Sequence, residues 1–327
     1  MRAWIVSEFG EPAAVLKLEP NAQSPEPGRH QVKVRVEAAG LGLPDVFMCH
    51  NNYPLVPPLP FTPSQEAVGT VIAVGEGVDA PRIGTRVLGP TLFQIGCGGL
   101  AEECLMQAQT AYPIPAAMSS EEAAGFFIPY QTAWIGLVHR GQLSADDTVL
   151  VLGASGSSGC AAVQLAKAKG ARVIAVAGGP KKAAFCETLG ADAVIDHRSE
   201  NITEAAMQHT DGKGVSVVFD PVGGKAGRAA FKALSFEGRF ILIGYASGEW
   251  AQISLVETLF KNQSLVGAMP VGFSAEFMRG AHDDLMSHWE QGQLKVVGNQ
   301  VFDFVDGGKA IQHIADGKVE GKVVVKL

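Results

Sequence analysis

The chain has 327 residues, of which 47% are hydrophobic and 18% are charged, and its net charge at pH 7 is −7. This length allows about two domains, and the composition excludes a disordered chain. The acidic balance argues against a nucleic-acid-binding protein, which usually carries a basic stripe.

Targeting, membrane and disulfide signals are weak throughout the sequence. The N-terminal residues lack the apolar core of a signal peptide. The long uncharged stretch from Thr148 to Ala166 holds several small polar residues and is a poor membrane span. The five cysteines are scattered and odd in number, which argues against a disulfide framework. We therefore expect a reduced, cytoplasmic protein with no membrane partner.

The first 121 residues have the texture of a β-rich domain. Residues 32–37 alternate apolar and charged side chains with period two, as a half-buried strand does. Residues 68–74 and 84–89 predict two more strands, and prolines and glycines separate these segments.

From about residue 122 the pattern changes to strands that alternate with helices. The predicted strands are 149–152, 173–176, 193–195, 215–219, 240–243 and 265–266, and the predicted helices include 160–169, 181–189 and 226–234. Such alternation predicts an α/β fold with a doubly wound parallel sheet. The tail adds predicted helices at 275–291 and 307–314 and a final strand at 322–327. A mixed tail after the α/β region suggests a discontinuous first domain.

A glycine-rich turn follows the strand predicted at 149–152. Gly153, Gly156 and Gly159 are spaced G-x-x-G-x-x-G and open a helix of small and apolar residues. A strand, a glycine-rich turn and a helix in succession are typical of a dinucleotide site, where the backbone and the helix N-terminus receive a pyrophosphate. The strict G-x-G-x-x-G spacing is absent, and an ordinary strand-to-helix turn is the alternative.

The end of the next strand indicates which nicotinamide cofactor is used. An NAD site typically has Asp or Glu there, whereas this chain has Gly178 followed by Lys181 and Lys182. A 2′-phosphate would fit at Gly178 and be attracted by Lys182, so we predict NADPH. The lysines could instead form a solvated helix start. His197 and Arg198 either frame the adenine end or lie on the surface.

Motifs for other chemistries are missing from the sequence. It contains no Tyr-x-x-x-Lys pair, no H-E-x-x-H motif and no cysteines at zinc spacing. We therefore expect no metal.

Several short motifs occur in order along the chain. They are Glu37-Ala38-Ala39-Gly40, residues 58–63 before Glu66, residues 74–78, 98–102 and 130–134, the glycine-rich turn, and residues 189–192, 220–224, 237–239 and 321–324. Together they resemble the medium-chain dehydrogenase/reductase superfamily, in its zinc-free quinone oxidoreductase (zeta-crystallin-like) branch, over essentially the whole length.

The resemblance has consequences for the acceptor. Gln65 and Gly42 stand where zinc-dependent relatives have two metal ligands, and Gly42 also replaces an Asn that lies near the nicotinamide in relatives. Without zinc or a Tyr acid, suitable acceptors delocalise the negative charge themselves, as quinones and α,β-unsaturated carbonyls do. Tyr53 matches a Tyr that lines the acceptor site of relatives, or else it packs as a loop residue.

The resemblance also implies a set of cofactor-binding residues. They are Tyr130 and Thr132 at the nicotinamide end, Gly153, Ser155, Gly156, Ser157, Ser158 and Gly159 at the pyrophosphate, Gly178 and Lys182 at the 2′-phosphate, His197 at the adenosine, and Val222, Gly244 and Tyr245 in the loops after the fourth and fifth strands. Relatives pair through the last strand of the nucleotide sheet, so a homodimer through Ser264 to Met269 is expected.

We therefore predict a GroES-like, mostly β catalytic domain (residues 1–121 and 268–327) and a Rossmann domain (residues 122–267). The predicted activity is metal-free hydride transfer from NADPH to a quinone. Two alternatives stay open. One is an NADPH-dependent double-bond reductase for enones, alkenals or acyl thioesters. The other is an NADPH-binding redox sensor or crystallin-like protein with little turnover.

Overall fold

The computed structural model describes residues 1–298 and 300–327. The chain folds into two compact units. Unit 1 comprises Met1–Ile128 and Val296–Leu327, and unit 2 comprises Pro129–Lys295. Unit 1 is thus built from both ends of the chain. The Rossmann domain was predicted at residues 122–267. Its predicted start and its predicted end both lie earlier in the chain than those of unit 2.

The strands are β1 (Ala3–Val6), β2 (Leu16–Glu19), β3 (Gln31–Leu41), β4 (Glu66–Val74), β5 (Arg86–Pro90), β6 (Glu103–Gln107), β7 (Tyr112–Pro113), β8 (Thr148–Val151), β9 (Arg172–Ala177), β10 (Ala193–Asp196), β11 (Val215–Asp220), β12 (Leu234–Leu242), β13 (Ser264–Gly267), β14 (Gln300–Asp303) and β15 (Val323–Lys326). The helices are α1 (Pro12–Val15), α2 (Leu43–Cys49), α3 (Ser120–Ala133), α4 (Ser157–Ala168), α5 (Pro180–Thr188), α6 (Ile202–Gln208), α7 (Gly224–Lys232), α8 (Leu255–Phe260), α9 (Ala275–Glu290) and α10 (Gly307–Ala315). A π-helix, Trp134–Arg140, directly follows α3. Among these helices of the described chain, none is both long and apolar enough to cross a bilayer.

Unit 1 is organised around a seven-stranded sheet. Its order is β14-β15-β3-β4-β5-β7, and β6 also pairs with β3. The alternation predicted at residues 32–37 holds in part within β3: Val32, Val34 and Val36 are buried and Arg35 is exposed, but Lys33 is buried as well and pairs with Glu26. The C-terminal strand β15 pairs with β3, which brings Lys322 and the loop after β3 into the same region of unit 1.

Unit 2 contains a six-stranded parallel sheet in the order β10-β9-β8-β11-β12-β13. Counted from β8, this order is 3-2-1-4-5-6, which is the doubly wound order of dinucleotide-binding sheets. The predicted doubly wound fold is therefore confirmed. The strand order reverses between β8 and β11, and ligands of such sheets bind beyond the carboxyl ends of these strands.

Several helices differ from the sequence-based prediction. Helix α3, the π-helix, α6 and α8 were not predicted, and α7 begins before the predicted helix at 226–234 and ends at Lys232. Helix α3 is buried from Ala123 to Phe127 and again from Pro129 onward, so it shows no polar face in sequence. Helix α8 has no buried residue at all. Helix α3 therefore lacks the one-sided apolar pattern on which the prediction depends. Helix α8 has only six residues, and the face that carries its apolar side chains is exposed.

Candidate functional site

The glycine-rich turn joins β8 to α4 in a tight conformation. Gly153 has φ of +57°, and the Gly156 N–H donates to its carbonyl at 2.9 Å. A Cβ atom on Gly159 would lie 2.2 Å from the Gly153 oxygen, so only glycine permits this approach. Gly156 is the N-cap of α4 and provides no side-chain cap. The helix therefore presents backbone N–H groups and the positive end of its dipole, which together suit a phosphate.

The predicted serines of this turn differ in exposure. Ser155 is buried, whereas Ser157 and Ser158 are half-buried and occupy the first two positions of α4. The hydroxyls of Ser157 and Ser158 thus lie at the same helix end as the N–H groups. Their contact with a cofactor stays a prediction.

The turn after β9 places two basic side chains against glycine backbone. A Cβ atom on Gly178 would lie 2.8 Å from His197 Nε2 and 3.3 Å from Arg198 Nε. One on Gly179 would lie 3.2 Å from a terminal nitrogen of Arg198. The two side chains therefore pack directly on the glycine backbone, and a larger residue at Gly178 would displace the His197 ring. Lys182 lies in the first turn of α5, immediately after it.

An acid, Asp196, is present at this turn, but the backbone already engages it. Its carboxylate accepts the N–H of Gly179 at 2.8 Å and that of Arg198 at 3.0 Å. These hydrogen bonds lower the pKa of Asp196. The sequence analysis missed Asp196 and gave Arg198 no defined role. The Asp196-His197-Arg198 run directly after a predicted strand was the available signal.

The loops after β11 and β12 are joined by backbone hydrogen bonds. The Ala246 N–H donates to the Pro221 carbonyl at 3.0 Å, and the Ser247 N–H donates to that of Val222 at 2.9 Å. The Val222 side chain would also contact a Cβ atom on Gly153, at 3.0 Å. The structure therefore places Val222 beside the glycine-rich turn and ties the loop that carries Gly244 and Tyr245 to the loop of Val222.

The carboxyl group of Asp220 shapes this loop. One oxygen accepts the N–H groups of Val222 and Gly223, each at 2.8 Å, while the other is buried without a partner among the described residues. Burial raises the pKa of Asp220. Its position next to Val222 makes it a structural part of the candidate site.

Tyr130 and Thr132 lie on α3 and are almost fully buried. The Tyr130 hydroxyl donates a hydrogen bond to the Lys295 carbonyl at 2.9 Å. This bond fixes the Tyr130 ring within unit 2. The predicted nicotinamide contacts of Tyr130 and Thr132 stay predictions.

In unit 1, a buried polar cluster surrounds the start of α2. Lys322 and Glu66 form an ion pair in which both side chains are at most 5% exposed. The other Glu66 oxygen accepts the Ile128 N–H at 2.7 Å. Asp45 accepts the N–H groups of Gly42 at 2.8 Å and Ser64 at 2.7 Å. The sequence analysis missed this cluster because its members come from opposite ends of the chain.

The environment of Asp45 disfavours its charged form. The pKa of Asp45 is raised to about 6, mainly by burial and to a smaller extent by the nearby Glu66, while the two backbone hydrogen bonds and Lys322 act in the opposite direction. Asp45 therefore changes protonation close to neutral pH.

Two other predicted acceptor-side residues lie in unit 1. Tyr53 is half-buried and packs against the apolar core of this unit, which fits its alternative role in packing. Gln65 is 8% exposed, and its side-chain Nε2 has no hydrogen-bond partner among the described residues. No group of three or more His, Cys, Asp or Glu side chains in the described part of the chain could hold a metal ion.

Domain models of known families match both units. Residues 28–116 match the alcohol dehydrogenase GroES-like domain, and residues 159–284 match the zinc-binding dehydrogenase domain.

Relatives and solved structures match over almost the full length. The quinone oxidoreductase-like protein 2 homolog of Nematostella vectensis is 35% identical over 99% of this chain and 88% of its own. The quinone oxidoreductase of Rattus norvegicus is 32% identical over 100% of this chain and 98% of its own. A mycobacterial protein solved in complex with NADPH is 28% identical, with a TM-score of 0.92 and complete coverage of both chains. The quinone oxidoreductase of Pseudomonas syringae pv. Tomato DC3000 is 26% identical, with a TM-score of 0.90, and covers 100% of this chain and 99% of its own.

Proposed function

Because the chain belongs to the quinone oxidoreductase-like branch of the medium-chain dehydrogenase/reductase superfamily, whose members are oxidoreductases, we propose that it reduces a quinone with NADPH and without zinc. The observation that carries the cofactor choice is the turn after β9. There His197 and Arg198 lie against Gly178, and the neighbouring acid is engaged by backbone N–H groups.

Residues of unit 2 would hold NADPH along its length. The backbone of the glycine-rich turn and the N-terminus of α4 would hold the pyrophosphate. Gly178, Lys182, His197 and Arg198 would hold the 2′-phosphate, and Tyr130, Thr132, Val222, Gly244 and Tyr245 would border the nicotinamide. The close packing of the His197 and Arg198 side chains on the backbone of Gly178 and Gly179 supports this assignment. When bound, NADPH supplies the hydride.

Residues of unit 1 support the proposals that the acceptor is a quinone and that the reaction needs no zinc. Gly42 has no side chain and Gln65 offers an amide, whereas zinc sites use Cys, His and carboxylate ligands. The reaction therefore favours an acceptor that spreads the incoming negative charge over its own π-system. The Tyr53 ring packs against the apolar core of unit 1, and its hydroxyl would add a hydrogen bond to that acceptor.

A homodimer is the proposed assembly. Strand β13 ends the order of the parallel sheet among the described strands, and an edge strand offers unpaired backbone groups to a second copy. Helix α8, which precedes it, exposes Leu255, Val256, Leu259 and Phe260. Pairing of two copies through Ser264 to Met269 would extend the sheet, and the second copy would cover this apolar surface.

NADPH oxidation by the purified, metal-free protein tests the proposal, with an ortho-quinone and a 2-alkenal compared side by side. We expect faster oxidation with the quinone. If the protein reduces only the alkenal, its activity is that of a double-bond reductase. NADPH binding without turnover of either acceptor would favour the sensor, and activity that requires added zinc would contradict the metal-free mechanism.

A further inference from the structure

Gly42 leaves a recess in unit 1 that a side chain would fill. Its φ of −148° and ψ of 178° are extended backbone angles that any residue can adopt. A Cβ atom there would lie 3.3 Å from Pro44 Cδ and 4.0 Å from Lys322 Nζ, with no other atom of the described chain within 4 Å. Backbone geometry therefore does not demand glycine at this position. Its missing side chain leaves space beside an ammonium group.

The ammonium group of Lys322 is held in place by an ion pair. The Lys322 side chain is 5% exposed and its partner Glu66 is 1% exposed. The remaining Glu66 oxygen accepts the Ile128 N–H, which fixes the carboxylate from its other side. An ammonium carries three N–H donors, and Glu66 is the one acceptor that bonds Lys322 Nζ within the described residues. Lys322 thus retains donor capacity next to the recess.

The backbone around the recess is also restrained. The Asp45 carboxylate binds the N–H groups of both Gly42 and Ser64, and so it ties the start of α2 to the segment before β4. Ser64 is fully buried and has φ of +81°, a conformation that a non-glycine residue keeps only when its surroundings enforce it. Strained residues of this kind concentrate at functional sites. The backbone that borders the recess is therefore held in a fixed conformation.

We propose that the carbonyl oxygen of the acceptor enters the recess over Gly42 and accepts a hydrogen bond from Lys322 Nζ. This inference rests on the proposed function and assigns Lys322 as an acceptor-binding residue. Reduction moves negative charge onto that oxygen, and a cation already fixed in a water-poor site stabilises such charge. A hydride from NADPH and a proton from solvent convert the quinone to the hydroquinone and leave NADP⁺, while Lys322 keeps its protons.

Gly42→Ala tests the recess without changing Lys322. The methyl group would occupy the recess, and we expect kcat/KM for an ortho-quinone to fall about 10-fold or more, since a displaced acceptor loses its alignment. NADPH affinity and the thermal unfolding midpoint should stay at wild-type values. Gly280→Ala in α9 is the matched control, because a Cβ atom there meets nothing within 4 Å.

A double substitution tests the ammonium itself. Lys322→Met with Glu66→Gln removes the cation without leaving a buried carboxylate unpaired. We expect kcat to fall about 100-fold, the usual effect of removing one donor to a developing oxyanion, with NADPH affinity unchanged. Wild-type turnover in either the folded Gly42→Ala protein or the folded double variant would overturn the assignment.

Failure of this inference can be separated from failure of the proposed function. If the wild-type protein oxidises NADPH with neither the quinone nor the alkenal, the proposed function fails. The recess is then tested by calorimetric titration of the ortho-quinone into the NADP⁺-loaded protein. Weaker binding of the quinone to Gly42→Ala than to Gly280→Ala would support the recess as the acceptor site. Equal binding to the two variants, or no binding to the wild-type protein, would overturn it.

Discussion

Arg198 lies against the two glycines after β9, with its guanidinium beside Gly179 and the His197 ring beside Gly178. A hydrogen bond to a charged group contributes about 1.5–3 kcal/mol, which corresponds to roughly 10- to 100-fold in affinity. We therefore predict that Arg198→Gln raises the KM for NADPH by about 10-fold or more and leaves the KM for NADH unchanged. Steady-state kinetics with both cofactors and one quinone measure the difference.

The control for this substitution is Lys213→Gln, which removes an exposed cation outside the candidate site. It should leave both KM values at the wild-type level. An equal rise for NADPH and NADH in Arg198→Gln would mean that Arg198 supports the fold of the turn and does not recognise the 2′-phosphate.

Asp45 makes the stability of the protein depend on pH. Its pKa is about 6 in the folded protein against an ordinary value of 3.8, so between these values the folded state holds a proton that the unfolded state has released. Stability from this group is full below pH ~4 and is lost as the pH rises to ~6, at about 1.4 kcal/mol per pH unit. Asp45→Asn should lack this contribution.

Chemical denaturation of both proteins at several pH values from 4 to 7 measures the slope. We compare slopes because Asn also loses one of the two backbone hydrogen bonds, which lowers stability equally at every pH. The wild-type free energy of unfolding should fall more steeply with rising pH than that of Asp45→Asn. Parallel curves would show that Asp45 titrates in its ordinary range.

The sequence predicts local site features better than distant ones. The glycine-rich turn and the basic residues after β9 each lie within a short stretch, so spacing and residue type were enough to find them. The Lys322–Glu66 pair joins positions 256 residues apart. No local pattern encodes such a contact, and it becomes visible only when β15 pairs with β3.

At the scale of elements, the turn between β8 and α4 contains glycines with two different roles, one in packing and one in cofactor binding. Gly159 is required for packing, since a Cβ atom would lie 2.2 Å from the Gly153 oxygen and 2.7 Å from Ala154 Cα. At Gly156, φ is −85° and the nearest contact would be 3.3 Å. We predict that Gly159→Ala costs about 1–3 kcal/mol of stability, whereas Gly156→Ala stays within about 0.5 kcal/mol of the wild type.

NADPH affinity separates these roles further. Gly156 is the N-cap, and a methyl group there would stand beside the N–H groups proposed to bind the pyrophosphate. Gly156→Ala should therefore weaken NADPH binding about 10-fold while its unfolding curve stays unchanged, as measured by calorimetric titration and denaturation. Wild-type affinity in Gly156→Ala would contradict the proposed position of the pyrophosphate.

Most elements of unit 2 were predicted because short apolar strands alternate there with helices, whereas α3 and α8 were not predicted. Strands β8 to β11 and β13 and helices α4, α5 and α9 lie within about three residues of their predicted ends, whereas β12 begins at Leu234, before its predicted start at residue 240. Helix α3 is buried on nearly all sides and carries Pro129, so its composition does not distinguish it from a loop or a strand. In α8 the apolar residues face outward, which inverts the expected pattern.

At the scale of the whole molecule, the exposed apolar residues of unit 2 bear on assembly. Leu255, Val256, Leu259 and Phe260 of α8 are each more than 60% exposed. The helix is held by a Ser254 cap and by an ion pair between Arg228 and Glu257. Apolar patches on a fixed surface mark interaction sites, and β13 offers a sheet edge in the same unit.

We therefore predict that the protein is a dimer in solution and that Leu259→Asp with Phe260→Asp converts it to a monomer. Two carboxylates at a shared apolar surface would have to lose their water, which costs several kcal/mol per buried ion. Sedimentation velocity of both proteins measures the change. Ile83→Asp in unit 1 is the matched control, because Ile83 is also 63% exposed but lies outside α8 and β13. It should remain dimeric, and a wild-type monomer, or a double variant that stays dimeric, would contradict assembly through this surface.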